Sequence, residues 1–260
     1  MFESRAMNRP PNDVDPGQGM RIGTWNLDRG KPLWQRPFQS GHICKAADLW
    51  LLTEVPSHMK FGEVRSSFSG SVPPGDDQSW AAVSSTFPME PIPSEHPSLA
   101  MARIDHPKGR PFVAASSVFP WRTAAKYWPV EDGDTFAERC AGTLAKHLAE
   151  ISVASGGLPV VWGGDFNQAL SGPERVGSDV GRQALLDAFK ELGLRVVTVE
   201  AAGQDPNQRS IDHIAIPEDW TSWALEVQPP QSDGRLLSDH PSYVVSVERD
   251  AVVAPVQRGT

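Results

Sequence analysis

Short apolar runs separated by turn-forming residues occupy most of the chain, a pattern typical of β-strands joined by loops. The runs predict strands at Met20–Leu27, Asp48–Val55, Trp80–Ser85, Leu99–Ile104, Pro111–Val118, Leu158–Trp162, Val196–Val199, Ser210–Pro217, Trp223–Val227 and Tyr243–Val247. Turn-forming residues predict a turn over Pro88–Pro97. Apolar residues with helical spacing predict helices at Phe38–Ala47, Asp134–Val153 and Gly181–Leu192. We therefore expect a β-rich chain with few helices.

The segment Leu158–Asn167 changes abruptly from apolar to polar. Its apolar run ends at Gly163 and Gly164 and is followed by Asp165 and Asn167. A buried strand cut off by glycines would place Asp165 at its carboxyl end, where layered sheets position their chemistry. Gly, Asp and Asn also form tight turns with no functional role. This segment alone leaves both interpretations open.

Polar residues interrupt or follow several other predicted strands. They are Asn26, Glu54, Asp212, Asp239 and His240. Glu54 lies in an apolar run, where a carboxylate is costly unless it is at the wet end of the strand or binds a cation. Carboxylate oxygens suit magnesium or manganese, whereas a zinc site would use more His or Cys. The set indicates a hard-cation site near an oriented imidazole.

Five short motifs give these residues a common context. They are "TWNL" with Asn26, "LLTEV" with Glu54, "GGDFN" with Asp165 and Asn167, "SIDHI" with Asp212, and "SDH" with Asp239 and His240. In this order and spacing they resemble the endonuclease/exonuclease/phosphatase superfamily of metal-dependent phosphoesterases, over about residues 20 to 248. The resemblance implies a four-layer α/β sandwich, with two mixed β-sheets packed face to face, helices outside and the site at one edge of the sheets.

The resemblance also implies a metal centre. Glu54 would be the principal ligand of Mg²⁺, for which Mn²⁺ could substitute. Asn26 would lie close to the metal and the phosphate, and Asp239 would assist at a second metal position or near the leaving oxygen.

The remaining motif residues would act on water and phosphate. By resemblance, Asp165 would orient or deprotonate the attacking water and Asn167 would bind a phosphate oxygen, while the adjacent glycines would let backbone and phosphate approach closely. Asp212 would hold the ring of His240. Because an opposite charge favours the imidazolium, His240 is expected to stay protonated above the ordinary histidine pKa of about 6.5.

The chain departs from the superfamily pattern in its middle. Where many members carry a His or Tyr facing the leaving group, this sequence has Ser116 or Ser117 within "PFVAASSVFPW". Arg122, Lys126 or Tyr127 in the following loop could contact the phosphate instead, and the sequence does not choose among them. The leaving-group residue is therefore open, and Ser116, Trp121 and Arg122 are the candidates for substrate contact.

Tryptophans and the other histidines favour structural roles. Trp25, Trp50 and Trp162 fall in predicted strands and are expected in the core. Trp34, Trp121 and Trp128 fall in loops, where an aromatic ring packs as an anchor or stacks on a base. His213 should face away from Asp212 and be structural or on the surface. His42, His58, His96, His106 and His147 belong to no motif, and we expect them to be solvated.

Length and composition fit one domain. The 260 residues, 39% of them hydrophobic, can form one core over residues 20–248, between a polar, flexible N-terminal tail at 1–19 and a fraying C-terminal tail at 249–260. Cys44 and Cys140 show no metal-binding or disulfide spacing, which indicates a reducing compartment. With neither a signal peptide nor an apolar membrane span apparent, we expect a cytoplasmic protein without a predicted protein partner.

These observations favour a magnesium-dependent hydrolase of a phosphate ester, more specifically a diester. Nucleic acid, DNA or RNA, is the leading substrate class by resemblance, although the net charge of −8 gives no basic stripe for nonspecific binding. A phosphomonoesterase or a lipid or small-molecule phosphodiesterase is the alternative within enzymes. A catalytically inactive binding module of the same fold is the alternative outside them.

Overall fold

The computed structural model describes residues 19–30, 35–56, 59, 61, 65–69, 78–107, 109–124, 128, 132–172, 176–203, 208–232 and 234–248. Apart from Gly19, the predicted tails lie outside this part of the chain. Lys126, Tyr127, Trp34 and His58 also lie outside it, so the expectations for these residues stay predictions.

Two mixed sheets of six strands form the centre of the structure. The first contains β1 (Gly19–Asn26), β2 (Leu49–Pro56), β3 (Arg65–Phe68), β4 (Gln78–Ser85), β11 (Thr221–Gln228) and β14 (Ser242–Glu248), in the order β11-β14-β1-β2-β4-β3. The second contains β5 (Met89–Ile92), β6 (Leu99–Ile104), β7 (Phe112–Val118), β8 (Val160–Asp165), β9 (Leu194–Val196) and β10 (Asp212–Pro217), in the order β5-β6-β7-β8-β10-β9. A small hairpin joins β12 (Gln231–Ser232) to β13 (Arg235–Leu236). Parallel pairing joins β1 to β2 and β7 to β8.

Three helices cover the outer faces of the sheets. They are α1 (Gln35–Ala46), α2 (Phe136–Ser155) and α3 (Asp179–Glu191). A capping box of Thr135 and Glu138 satisfies backbone donors at the start of α2, and Gly156 ends it with a φ of 53°. The side chain of Ser178 caps α3. The predicted four-layer α/β sandwich is confirmed. Over its described residues, the structure has no helix long and apolar enough to span a membrane.

Strand alternation divides the core into an inner and two outer layers. Ile22 and Leu51 of the first sheet pack against Val161 and Ile214 of the second, between the sheets. On the outer faces, Trp25 and Trp50 pack with residues of α1, and Trp162 packs with residues of α2 and α3. All three tryptophans are buried, as predicted. Because side chains alternate along a strand, the residue that ends each strand points either between the sheets or toward the helices.

Two local predictions were wrong. The predicted turn over Pro88–Pro97 contains β5, an edge strand in which Pro91 is tolerated because the proline lacks only a donor facing away from the sheet. The strand predicted at Val196–Val199 ends at Val196, because the backbone N–H of Ile214 donates to Thr198 Oγ1 at 3.0 Å instead of to a backbone carbonyl. At that point a hydrogen bond to a side chain replaces the backbone hydrogen bonds of the sheet.

Several histidines expected to be solvated are buried. His96, His106 and His147 are inside the structure, and His42 is partly buried. His96 Nε2 lies 3.1 Å from Asp132 Oδ2, and His147 Nε2 lies 3.0 Å from His96 Nδ1. The sequence held no local sign of this chain of contacts, because its members are 36 and 51 residues apart.

Asp132 anchors this buried network. It also accepts hydrogen bonds from Trp128 Nε1 at 3.0 Å and Thr143 Oγ1 at 2.7 Å, and it pairs with Lys146. Burial lowers the pKa of His96, and it lowers that of His147 well below the ordinary value. Both rings are therefore neutral at pH 7, and their protonation would place charge in the interior.

This network predicts a loss of stability in weak acid. A histidine whose folded pKa is lowered stabilises the fold above its unfolded pKa of about 6.5, and this stabilisation is lost as pH falls toward the folded value. The free energy of unfolding, measured with urea between pH 6.5 and 5, should fall less steeply in His147→Gln than in the parent. The slopes should differ by up to about 1.4 kcal/mol per pH unit. Equal slopes would contradict neutral burial of His147.

Candidate active site

The motif residues meet at one edge of the two sheets. Asn26 ends β1 and Glu54 lies near the end of β2, while Asp165 ends β8 and Asp212 begins β10. Asn26 Nδ2 donates to Asp165 Oδ2 at 3.0 Å and contacts Glu54 Oε1 at 3.3 Å. This amide therefore joins the acidic ends of both sheets. Because its nitrogen faces the carboxylates and its Oδ1 accepts from the backbone N–H of Asp28, metal ligation by Asn26 stays a prediction.

Asp165 and Asp212 face each other across paired strands. They are register partners in β8 and β10, and both side chains point into the gap between the sheets, on the same face as Val161 and Ile214. Both are almost fully buried. Two carboxylates placed directly opposite repel unless protons or cations separate them. Burial, reinforced by the charge of Asp212, raises the pKa of Asp165 to about 7.

The ring of His240 supplies positive charge at this point. Its Nδ1 lies 2.7 Å from Asp212 Oδ2, and Ser238 holds its backbone N–H through a 3.0 Å hydrogen bond. Burial opposes protonation, but the charge of Asp212 and their hydrogen bond hold the pKa of His240 well above its ordinary value. The structure thus brings together an imidazolium and a buried carboxylate pair.

The donor set suits a hard divalent cation. One oxygen or ring nitrogen from each of Asp165, Asp212 and His240 lies within 4.8 Å of the others. Asp212 Oδ1 is buried and has no hydrogen-bond partner among the described residues, as a ligand oxygen would. A protonated imidazole does not bind metal. The carboxylates, with Glu54 at the open side, therefore fit Mg²⁺ or Mn²⁺ better than the ring does.

Glu54 occupies an unusual backbone conformation. Trp50 and Leu52 pack on the α1 side two residues apart, but the next side chain there is Val55, so the alternation breaks at Glu54. Its φ is 48°, in the left-handed region. This conformation costs roughly 1–2 kcal/mol for a residue with a side chain. The break gives Glu54 access to Asn26, which regular alternation would deny it.

Left-handed backbone is concentrated at the site. Within the described ranges, the residues other than glycine with positive φ are Asp28, Arg29, Glu54 and Asn167. All four lie at or next to the ends of β1, β2 and β8. Such strain persists where surrounding contacts fix it, and it is often found at functional sites.

Asp28 is a site residue that the motif analysis missed. Burial, together with the charges of Asp239 and Glu54, raises its pKa to about 6. Its backbone N–H donates to Asn26 Oδ1 at 2.9 Å. The only signal in the sequence was a carboxylate two positions after Asn26, just beyond the predicted strand Met20–Leu27.

The two glycines of β8 serve packing. A Cβ on Gly164 would lie 2.1 Å from the carbonyl oxygen of Ser117, and one on Gly163 would lie 2.6 Å from Leu51 Cδ1. Gly164 also has a φ of 129°. The space that a side chain would need at these glycines is occupied by β7 and the opposite sheet. The expectation that the glycines let a phosphate approach the backbone is therefore wrong.

The two serines that stand where a leaving-group residue would be expected do not reach the site. Ser116 points between the sheets and donates to the carbonyl of Leu52 at 2.8 Å. Ser117 points toward the helices and accepts from Trp162 Nε1 at 2.8 Å. Both are fully buried. The prediction that Ser116 contacts substrate is therefore wrong, because strand alternation encloses its hydroxyl.

Other predicted residues lie around the acidic centre. Asn167 donates its backbone N–H to Asp165 Oδ1 at 2.9 Å and one amide hydrogen to the carbonyl of Phe119 at 2.9 Å. Asp239 is half exposed, and its Oδ1 lies 4.0 Å from His240 Nε2. His213 is fully buried with Nε2 2.9 Å from the carbonyl of Gln168, which confirms its structural role.

Arg122 and Trp121 contact residues outside the acidic centre. Arg122 is exposed, donates to the carbonyl of Gly177 and lies 5.3 Å over the ring of Phe136. Trp121 packs against Trp80 with ring centroids 5.9 Å apart, as a loop anchor. Substrate contact by either residue stays a prediction.

Comparison with known proteins concerns the fold. No protein-family model matches the chain, and no curated protein sequence matches it. The endonuclease domain of TRAS1, a telomere-specific non-LTR retrotransposon, is 18% identical, with 88% of this chain and 98% of that chain covered and a TM-score of 0.58. The endonuclease/exonuclease/phosphatase from Bacteroides vulgatus is 15% identical, with 89% of this chain and 99% of that chain covered and a TM-score of 0.63. The fold is that of the endonuclease/exonuclease/phosphatase superfamily.

A third structure with this endonuclease/exonuclease/phosphatase fold was solved with a nucleic acid. D. rerio TDP2, complexed with a single-strand DNA product, is 14% identical, covers 89% of this chain and 99% of that chain, and has a TM-score of 0.59. At these identities the likeness establishes the fold alone.

The packing role of Gly164 can be tested with a matched glycine. Gly164→Ala should destabilise the protein by more than about 1 kcal/mol, because it adds a backbone clash to a strained φ. Gly157→Ala, at a φ of 85° with no atom within 4 Å of the added Cβ, should destabilise it less. Urea unfolding measures both. Equal losses of stability in the two variants would show that the positive φ alone, and not the backbone clash, destabilises Gly164→Ala.

The Asp212–His240 pair predicts a shift in the His240 pKa. Removing the negative charge in Asp212→Asn should lower this pKa by at least about one unit, measured by NMR titration of the metal-free protein. Asp239→Asn, which removes a more distant charge, should lower it less. An unchanged titration in Asp212→Asn would disprove the pairing.

Proposed function

We propose that this protein is a metal-dependent phosphoesterase that hydrolyses a phosphodiester with water as the nucleophile. The observation that carries the proposal is the position of Asp165, held by Asn26 on one side and facing the Asp212–His240 pair on the other. A base, an imidazolium and hard-cation ligands at one sheet edge are the groups that phosphoryl transfer to water requires.

Asp165 would activate the water. Asn26 and the backbone of Asn167 each donate to one of its oxygens, so the carboxylate has a fixed orientation. Its pKa of about 7 makes it a stronger base than an ordinary carboxylate while leaving a substantial ionised fraction near neutral pH. A water hydrogen-bonded to Asp165 would transfer its proton there as its oxygen bonds to phosphorus. The bond from phosphorus to the leaving oxygen would break, and that oxygen would depart with the bonding electron pair and take a proton from solvent.

His240 and Asn167 would bind the phosphate. With Nδ1 of His240 occupied by Asp212, the protonated ring has Nε2–H available to donate to a phosphate oxygen. Asn167 has a second amide hydrogen for the same purpose, since the carbonyl of Phe119 takes only one. These donors would stabilise negative charge as it develops in the transition state.

Glu54, Asp28 and Asp239 would hold Mg²⁺ or Mn²⁺ at the open side of the site, with Asn26 nearby. The buried Asp212 Oδ1, which has no hydrogen-bond partner among the described residues, would be a further ligand oxygen. When bound, such an ion neutralises charge on the phosphate and leaving oxygens. Asp28 enters this set because burial, with the charges of Asp239 and Glu54, raises its pKa.

Nucleic acid is the substrate class that we favour. Support comes from the fold shared with an endonuclease domain and with TDP2 in complex with a single-strand DNA product. Phosphomonoesters and lipid-type diesters use the same chemistry and remain alternatives, as does an inactive binding module. A cytoplasmic location stays a prediction.

One assay separates these functions. The purified protein with Mg²⁺ or Mn²⁺ should hydrolyse plasmid DNA or RNA and bis-p-nitrophenyl phosphate in preference to a phosphomonoester. Asp165→Asn should lower kcat/KM by about 10²–10⁴-fold because it removes the general base, and His240→Gln should also lower it. Initial rates at saturating metal measure the effect.

Asp105→Asn provides the control, because Asp105 is an exposed carboxylate after β6, at the end of the second sheet away from Asp165. Its activity should match that of the parent. Hydrolysis of none of the substrates, or activity unaffected in Asp165→Asn, would reject the enzymatic proposal. Preference for the monoester would favour the phosphomonoesterase alternative.

A further inference from the structure

Arg29 brings a cation into contact with the acidic site. It follows Asp28 on a short 3-10 turn, and its Nε lies 3.1 Å from Glu54 Oε2. The other oxygen of Glu54 faces Asn26. The side chain of Arg29 is 45% exposed and that of Glu54 is 19% exposed. The guanidinium therefore covers the solvent side of the carboxylate expected to bind metal.

The backbone conformation of Arg29 is not explained by a contribution to the stability of the fold. Its φ of 61° and ψ of 10° place it in the left-handed region, directly after Asp28 with a φ of 44°. Such a conformation costs an arginine roughly 1–2 kcal/mol. An exposed ion pair returns only about 0–1 kcal/mol. The contact with Glu54 does not offset the strain, so a functional reason for an arginine here is needed.

Charge at the open side of the site supplies that reason. Asp28, Glu54 and Asp239 lie there, and through the described segments Arg29 is the only lysine or arginine in an ion pair with one of them. A phosphodiester is an anion and is repelled by these carboxylates. A guanidinium offers paired N–H groups that match phosphate oxygens.

Glu54 cannot serve both cations fully. Arg29 and a divalent ion would seek the same oxygen, and the two positive charges would repel each other. The long, half-exposed side chain of Arg29 can leave Glu54 without disturbing a buried contact. It would then lie beside the place where a phosphate meets the site.

We propose that Arg29 is a specificity-determining residue that exchanges partners, pairing with Glu54 before a divalent cation binds and with a phosphate oxygen of the anionic substrate afterwards. The proposal rests on the proposed function for its substrate and for metal binding at Glu54, and on the structure for the contact between Arg29 and Glu54.

Two measurements test the exchange. Mn²⁺ titration of the substrate-free protein by calorimetry should show about twofold to fivefold tighter binding in Arg29→Gln than in the parent, because a competing cation is removed. With saturating Mn²⁺, Arg29→Gln should raise KM for bis-p-nitrophenyl phosphate and for a DNA oligonucleotide severalfold, with kcat within about twofold. Arg29→Lys should retain much of both parent values.

Arg21→Gln is the matched control, since Arg21 forms an exposed pair with Glu226 at the far end of β1. It changes the net charge equally and should alter neither Mn²⁺ affinity nor KM. Thermal unfolding of each variant shows whether the fold is retained. Arg29→Gly, which relieves the backbone strain, should unfold at a temperature no lower than the parent.

Unchanged or weaker Mn²⁺ binding in Arg29→Gln would overturn the competition, and an unchanged KM would overturn the contact with substrate. Either result rejects the proposal. If the parent hydrolyses no phosphoester, the proposed function fails and the substrate half of this proposal fails with it. The Mn²⁺ titration then still decides whether Arg29 and metal compete for Glu54.

Discussion

The repulsion between Asp165 and Asp212 is the constraint on which the site depends. Antiparallel pairing of β8 with β10 sets the two buried carboxylates directly opposite each other. Neighbouring groups must compensate for this arrangement, and they do so from three directions, through the ring of His240, the amide of Asn26 and the backbone of Asn167. The compensation links both sheets and the loop before β14, so the acidic edge is formed only when all of them are assembled.

The same requirement explains where the backbone departs from regular geometry. Regular strands present every second side chain to one layer, which suffices for Asn26, Asp165 and Asp212. Regular alternation would point Glu54 toward α1. Its left-handed backbone conformation lets its side chain reach Asn26 instead. The site therefore combines rigid strand ends with a few strained positions, and the surrounding sandwich supports that strain.

Much of this arrangement could be predicted from the sequence because polar residues closing apolar runs are conspicuous. Asn26, Glu54 and Asp165 are conspicuous for that reason, and the layered fold was implied by the superfamily resemblance that their motifs carry. Asp28 was missed because turn conformation has no periodic signal. Burial of His96 depends on Asp132, far along the chain, so no local pattern showed it. The burial of Ser116 between the sheets could have been predicted, since strand alternation places it on the same face as Ala114.

The pairing of β1 with β14 has a geometric consequence for any molecule attached to this domain. Gly19 and Glu248 are register partners, whereas Asn26, at the other end of β1, borders the acidic edge. The two ends of the described domain thus lie side by side, an eight-residue strand, or roughly 20–25 Å, away from the site. Tags, surface tethers or fused domains joined directly to Gly19 or Glu248 would begin on the side remote from the acidic edge. Joining Gly19 to Glu248 by a short peptide would be sterically simple, which makes circular permutation of residues 19–248 practical.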